Sequence, residues 1–160
     1  VLILNENPKL DALMDLIQST KEESKIVVFN EFILSGDLIC KKLKDLKIKY
    51  SRLYGGTKDK IGAKDDFVKN KDCKVFVVNH QSGSTALNLQ VANYVIFYES
   101  PVSPIVRQQA EKRCHRTGQR DKVFIYDLMM KNSIDIKISQ FLKQGKDLFH
   151  ALIEGSVELA

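Results

Sequence analysis

Gln109, Arg113 and Arg116 stand at offsets of 0, 4 and 7 within the stretch Gln108–Gln119. A helix brings such positions to one face. Two guanidiniums and an amide facing one way form a donor fork matched to phosphate oxygens. An arginine held there can offset the charge gathering on a transferring γ-phosphoryl group, an effect worth ~10³–10⁵ in rate. The same spacing also suits a solvent-facing basic helix with Glu111 as its ion-pair partner. What the chain lacks narrows the chemistry. It has no glycine-rich phosphate loop ending in Gly-Lys-Ser or Gly-Lys-Thr, and no acidic pair closes a strand as a Mg²⁺ site requires. An arginine finger here would complete a nucleotide site whose cradle lies on another domain.

Such a helix has to be carried by something, and the sequence supplies a sheet. Four short apolar runs, Ile26–Phe29, Val75–Val78, Tyr94–Tyr98 and Val123–Tyr126, are β-branched or aromatic throughout. Strands covered by helices on both faces have this composition. A fifth, Ile48–Tyr54, alternates and is expected nearer an edge. Helices are expected between them. Asn7-Pro8 reads as N-cap and first helical residue. Ser35 and Thr57 read as further caps, with Gly62 inside the second helix. Pro104 to about His115 should carry the arginines, and Ser133 to about residue 155 should form a closing helix that Gly145 could break. Alternating strands and helices give one doubly wound, mainly parallel α/β domain over residues 1–160. Its strand-to-helix loops, 30–34, 54–58, 79–88 and 99–104, then gather at the carboxyl edge, where such folds bind ligands.

Composition excludes several classes. The 160 residues are 44% hydrophobic and 28% charged, enough for a single self-sufficient core. Three widely spaced cysteines without a C-x-x-C pair speak against a disulfide scaffold or a zinc knuckle and for a reducing, intracellular compartment. No apolar run approaches the length of a membrane span. The net charge of +5 is concentrated in two zones: 12 basic against 5 acidic residues over 41–74, and 6 against 2 over 107–122. Two basic zones on a mildly acidic background suit a phosphate backbone, or else solvated lysine-rich faces.

The stretch Gln108–Gln119 resembles motif VI of superfamily-two helicases. Its ending, His115-Arg116-Thr117-Gly118-Gln119, is similar to that of the Swi/Snf-type chromatin-remodelling and repair translocases. The likeness spans most of the chain. Residues 8–13 resemble the helix opening the second lobe, Lys25–Phe32 resembles motif IV, and Tyr54-Gly55-Gly56-Thr57 the glycine-threonine turn. Asn79–Leu89 resembles motif V, and 127–153 the closing strand end and helix. The resemblance implies a RecA-like fold and the C-terminal lobe of a DNA-dependent ATPase that clamps ATP and Mg²⁺ against an N-terminal RecA-like lobe. That partner lobe is expected outside this chain, which begins at a non-Met residue. It further implies that Arg116 and Arg113 reach the γ-phosphate, Arg116 foremost, with Gln109 and Gly83 on the nucleotide side. The loops of motifs IV and V, with Asn30, Gly56, Thr57, Lys58, His80, Gln81, Ser82 and Asn88, would touch the backbone of double-stranded DNA, in whatever cytoplasmic, nucleoid or nuclear space holds it.

The residues themselves support that picture. Thr57 after two glycines is expected to open a helix with free N–H groups and a hydroxyl, beside Lys58 and Lys60. Residues 79–88 offer neutral hydrogen-bonding groups suited to phosphate and sugar without base readout. There are departures. Gly83 alone remains where motif V usually carries several glycines. Glu99 and Val102-Ser103-Pro104 replace an aspartate and a Trp-Asn-Pro, and Gly62 stands where an arginine is common. Cys40, Cys114, Phe97 and Tyr98 are expected in the core, and Cys73 at the opening of a strand. Two other readings stay open: a superfamily-two RNA helicase lobe, and a non-catalytic module binding nucleic acid or protein. The isolated chain is expected to hydrolyse no ATP.

Overall fold

The computed structural model describes residues 6–82, 87–115 and 122–145. Strands form on the apolar runs: β1 Ile26–Asn30, β2 Tyr50–Leu53, β3 Val75–Asn79, β4 Tyr94–Phe97 and β5 Phe124–Asp127. All pairings are parallel, in the order β2-β3-β1-β4-β5. The helices are α1 Pro8–Ser19, α2 Ile33–Asp45, α3 Lys60–Lys69, α4 Pro104–Cys114 and α5 Ile134–Lys143, with a short 3-10 turn at His80–Ser82.

Strand alternation sorts the core into two layers. Val27 and Phe29 of β1 join Phe76, Val78, Val95 and Phe97 on one face, against Phe67 of α3 and Ala110 and Cys114 of α4. Ile26 and Val28 join Val75, Val77 and Ile96 on the other, against Leu13 and Ile17 of α1 and Ile39 and Leu43 of α2. Helices on both faces of a parallel sheet confirm the doubly wound α/β expectation. As expected, Phe97, Tyr98, Cys40 and Cys114 are buried; Cys73, read as opening a strand, lies two residues before β3 and is buried as well. The Ile48–Tyr54 run supplies edge strand β2.

Asn7 caps α1 by accepting the Leu10 N–H, with Pro8 in the first turn, and α4 starts at Pro104. Three local expectations are corrected. Ser35 does not cap α2, which begins two residues earlier behind Phe32, a residue with no capping side chain. Thr57 does not open α3. Asp59 does, its carboxylate accepting the Gly62 N–H at 2.7 Å. Thr57 instead closes the turn after β2, its hydroxyl oxygen accepting the Tyr54 N–H and its own N–H donating to the Tyr54 carbonyl, both at 3.0 Å. β5, read as covered on both faces, is an edge strand whose four residues are all exposed. α5 ends at Lys143 and is followed by Gly145 at φ +67°. The remainder of the expected closing stretch lies outside the described residues.

Candidate functional site

In a parallel sheet the loops after β1, β2, β3 and β4 share the carboxyl edge, and they are the four loops singled out in the sequence. β1 sends its connection to the α1/α2 face, whereas β4 sends its own to the α3/α4 face. Their carboxyl ends therefore flank a switch-point crevice.

The polar residues of this edge divide by burial. Asn30, His80 and Ser82 are buried, as is Asn79, and their hydrogen-bonding groups serve the loops themselves. The Asn30 amide donates to the Phe32 carbonyl at 2.6 Å and that of Asn79 to the Glu31 carbonyl at 2.7 Å. The Ser82 hydroxyl donates to the Asn79 carbonyl at 2.6 Å. The His80 ring stacks with Phe29 and Phe97, and its Nε2 lies 2.9 Å from the Glu99 carbonyl. Since a carbonyl only accepts, Nε2 carries the proton. Burial pushes the His80 pKa down to about 4, and the positive charges of Arg107 and Arg113 push the same way against that hydrogen bond. Gly56, Lys58 and Gln81 are exposed at the same edge, and Thr57 is half-buried, while Asn88 is exposed beside Lys64, Asp65 and Val68 of α3. Gly83 lies outside the described residues.

The backbone under the β1 loop leaves no spare room. Gly36 faces Arg52, where an added Cβ would stand 2.8 Å from Nη2. Arg52 donates to Asp37 and to the Ile33 carbonyl and lies over the Tyr54 ring.

α4 runs back from the carboxyl edge. Ala110 and Cys114 face the core, Gln109 is exposed and Arg113 half-buried on one flank, and Arg107 and Glu111 line the other. Gln109 and Arg113 thus share a side, as their spacing requires. The Arg113 carbonyl accepts the Leu89 N–H at 2.9 Å, which ties α4 to the segment after β3. Burial lowers the Arg113 pKa from its ordinary value. The side chain stays cationic at neutral pH, because guanidinium does not deprotonate in proteins, and its effect on His80 places that charge within reach of the β3 loop. Arg116 lies outside the described residues.

Two features escaped the sequence reading. Arg107 holds the Asp127 carboxylate with both terminal nitrogens, donates from Nε to Glu111 at 2.6 Å and from Nη1 to Ser100 at 2.9 Å, and lies 3.5 Å over the Phe97 ring. It pins α4 to the end of β5. The first basic zone is also largely paired or lies away from this edge. Lys49 pairs with Asp72, and Lys64 and Lys69 with Asp65. Lys47, Lys71 and Lys74 share the amino edge with Glu22, Glu23 and Asp72. Lys58 and Lys60 are the part of that zone beside the carboxyl-edge turn.

For a nucleotide, Arg113 and Gln109 supply donors suited to phosphate oxygens. Among the described residues no group of three His, Cys, Asp or Glu could hold a metal ion. No helix among the described residues is long and apolar enough to cross a membrane.

Comparison with known proteins places these features in a family. Residues 8–118 match the model of the helicase conserved C-terminal domain. The chain is 33% identical over 156 residues to the ATP-dependent helicase fft1 of Schizosaccharomyces pombe, a match covering 96% of this chain and 16% of that protein. It is 31% identical over 156 residues to the human chromatin-remodeling ATPase INO80, covering 96% of this chain and 10% of that one. The crystal structure of the C-terminal part of the Fun30 ATPase domain superposes with a TM-score of 0.78 at 32% identity, over 86% of this chain and 47% of that one. The chain thus spans a small part of the curated relatives' length.

Proposed function

Because the chain belongs to the helicase conserved C-terminal domain family, as a RecA-like lobe of the Swi/Snf type, we propose that it is the second lobe of a DNA-dependent ATPase that moves along duplex DNA. An N-terminal RecA-like lobe holds ATP and Mg²⁺. This lobe closes on the nucleotide with Arg113 and Arg116, supported by Gln109, and meets the DNA backbone with its carboxyl-edge loops. Mg²⁺ held by the N-terminal lobe would supply neutralisation of the phosphate charge. The chain's own part is to hold Arg113 on a fixed helix, with Arg116 after it in sequence, and to bring both closer to the phosphates as the lobes close.

The observation that carries this reading is the flank of α4. It presents Gln109 and half-buried Arg113 together, tied through Leu89 to the segment after β3, in a chain with no phosphate loop of its own. The DNA-facing role narrows to Gly56, Lys58, Gln81 and Asn88, which are exposed, with Thr57 shaping their turn. Asn30, His80 and Ser82 act beneath them by fixing the loops. These groups are suited to phosphate and sugar rather than base edges, so binding should be indifferent to sequence, with a salt dependence set by the few cations beside the turn, Lys58 and Lys60.

The test compares nucleic acids as stimulants of ATP turnover by a protein carrying both lobes. Duplex DNA should stimulate strongly and RNA weakly, and the isolated chain should turn over no ATP. RNA stimulation exceeding that of duplex DNA would favour an RNA helicase lobe. Turnover by the isolated chain, free of contaminating ATPase, would refute the two-lobe reading.

A further inference from the structure

α2 begins without a capping side chain of its own, since Phe32 stands at its N-cap. A residue from the loop after β4 braces the chain where it enters the helix. Glu99 Oε2 accepts the N–H groups of Glu31 at 2.9 Å and Phe32 at 3.2 Å, and Oε1 accepts the Ser35 hydroxyl at 2.6 Å. The carboxylate therefore fills the crevice between the carboxyl ends of β1 and β4. The backbone carbonyl of the same residue accepts the Nε2–H of His80, from the turn after β3. Five positions further on, Pro104 opens α4, the helix that carries Gln109 and Arg113.

One residue is thus bonded to the loops after β1 and β3 and stands at the head of the arginine helix. The N–H groups it holds are those of Glu31 and the N-cap Phe32, just ahead of the helix, so its negative charge sits near the α2 N-terminus, where such charge is favoured. We infer that Glu99 is a positioning residue that couples the DNA-facing loops to α4, so that nucleic acid held at the carboxyl edge shifts the arginines relative to the nucleotide. The inference rests on the reading under Proposed function and deepens it by naming the link between the two halves of the site. Charge-assisted bonds to backbone N–H groups are short and directional, so displacement of the Glu31–Phe32 backbone moves Glu99 with it. The bond from His80 makes the β3 turn follow.

The test uses a protein carrying both lobes, with Glu99→Ala and Glu99→Gln. ATP turnover is measured with and without saturating duplex DNA, at a temperature well below the Tm of each variant. Glutamine keeps the length of the side chain, its carbonyl oxygen still accepts both N–H groups, and its amide can donate to Ser35. Glu99→Ala should cut the ratio of DNA-stimulated to DNA-free turnover about fivefold or more, within the range of site-to-site couplings. Glu99→Gln should hold the ratio within about twofold of the parent. Should the alanine variant fail to fold, Ser35→Ala takes its place, with an expected drop in the ratio of about twofold. An unchanged ratio in the alanine variant overturns the inference, as does an equal fall in both rates or an equal loss in the glutamine variant. A parent protein that duplex DNA does not stimulate at all overturns the proposed function itself, a result distinct from these.

Discussion

His80 makes the stability of this lobe sensitive to mild acid. Its ring lies between Phe29 and Phe97, 7% exposed, with Nε2 on the Glu99 carbonyl. Its pKa falls from 6.5 to about 4, first through burial and then through the nearby charges of Arg107 and Arg113. A histidine whose folded pKa is depressed binds fewer protons than it does in the unfolded chain. Its contribution is therefore fully present above about pH 6.5, declines as pH falls, and is exhausted near pH 4. At pH 5 the unfolded imidazole is almost wholly protonated and the folded one almost wholly neutral, which costs about 2 kcal/mol relative to pH 7. The full loss in stronger acid is about 3 kcal/mol. Glu31, whose pKa is raised first by burial and further by the charge of Glu99, against the hydrogen bond from Gln81, has the opposite sign and gains stability as pH falls. The measurement must cancel it. Urea unfolding of the parent and of His80→Gln at pH 7 and pH 5 does so, because Glu31 is common to both, and glutamine can still donate to the Glu99 carbonyl. The parent should lose about 2 kcal/mol more than the variant between the two pH values. A difference below about 0.5 kcal/mol would refute the placement of a neutral, desolvated imidazole under the β3 loop.

The same packing supports further predictions. Arg107→Ala removes the hold on Asp127 and Glu111 and the stack over Phe97, and should destabilise the lobe by about 2 kcal/mol in urea unfolding. Gly36→Ala brings a Cβ towards the tip of Arg52, which must shift on Asp37 and the Ile33 carbonyl; set against the gain of alanine over glycine inside a helix, the net change in urea unfolding should stay within about 1 kcal/mol, and Arg52→Ala in the same chain should turn it into a gain. Cys40, with its thiol pushed up to about 11, and Cys73 and Cys114, pushed up to about 12, all chiefly by burial, should resist a thiol reagent at pH 8 in the folded protein and react in urea; rapid labelling of the folded protein would contradict their placement in the core.

How much of this was legible in the sequence depended on the range of the interaction. Apolar runs announced β1, β3 and β4 because strands covered on both faces need no alternation, and Asn7-Pro8 and Pro104 announced helix starts that local chemistry decides. Thr57 misled because Asp59, two residues on, also caps, and its carboxylate reaches the Gly62 N–H. Ser35 misled for a longer-range reason: its hydroxyl is engaged by Glu99 from another strand's loop. β5 has the composition of a covered strand, and a sequence does not say that a strand is last in its sheet. At the site, the spacing of Gln109 and Arg113 was readable because it is a property of one helix. The burial of Asn30, His80 and Ser82 was not, since small polar residues in a loop look alike whether they face solvent or brace the turn beneath it. Arg107 was overlooked because its partner Asp127 lies on β5, beyond the range of any helical periodicity.

Arg113 of α4 and Arg116, which follows it in sequence, are proposed to complete a nucleotide site built on a second lobe. The direct measurement is ATP binding and turnover, side by side, in a protein carrying both lobes with Arg116→Ala and, separately, Arg113→Ala. Arg116→Ala should lower turnover by about 10³-fold or more while ATP affinity changes by less than about tenfold, because a finger acts on charge that develops in the transition state. Turnover unchanged in both variants would contradict the account, and loss confined to Arg113→Ala would move the finger to that residue.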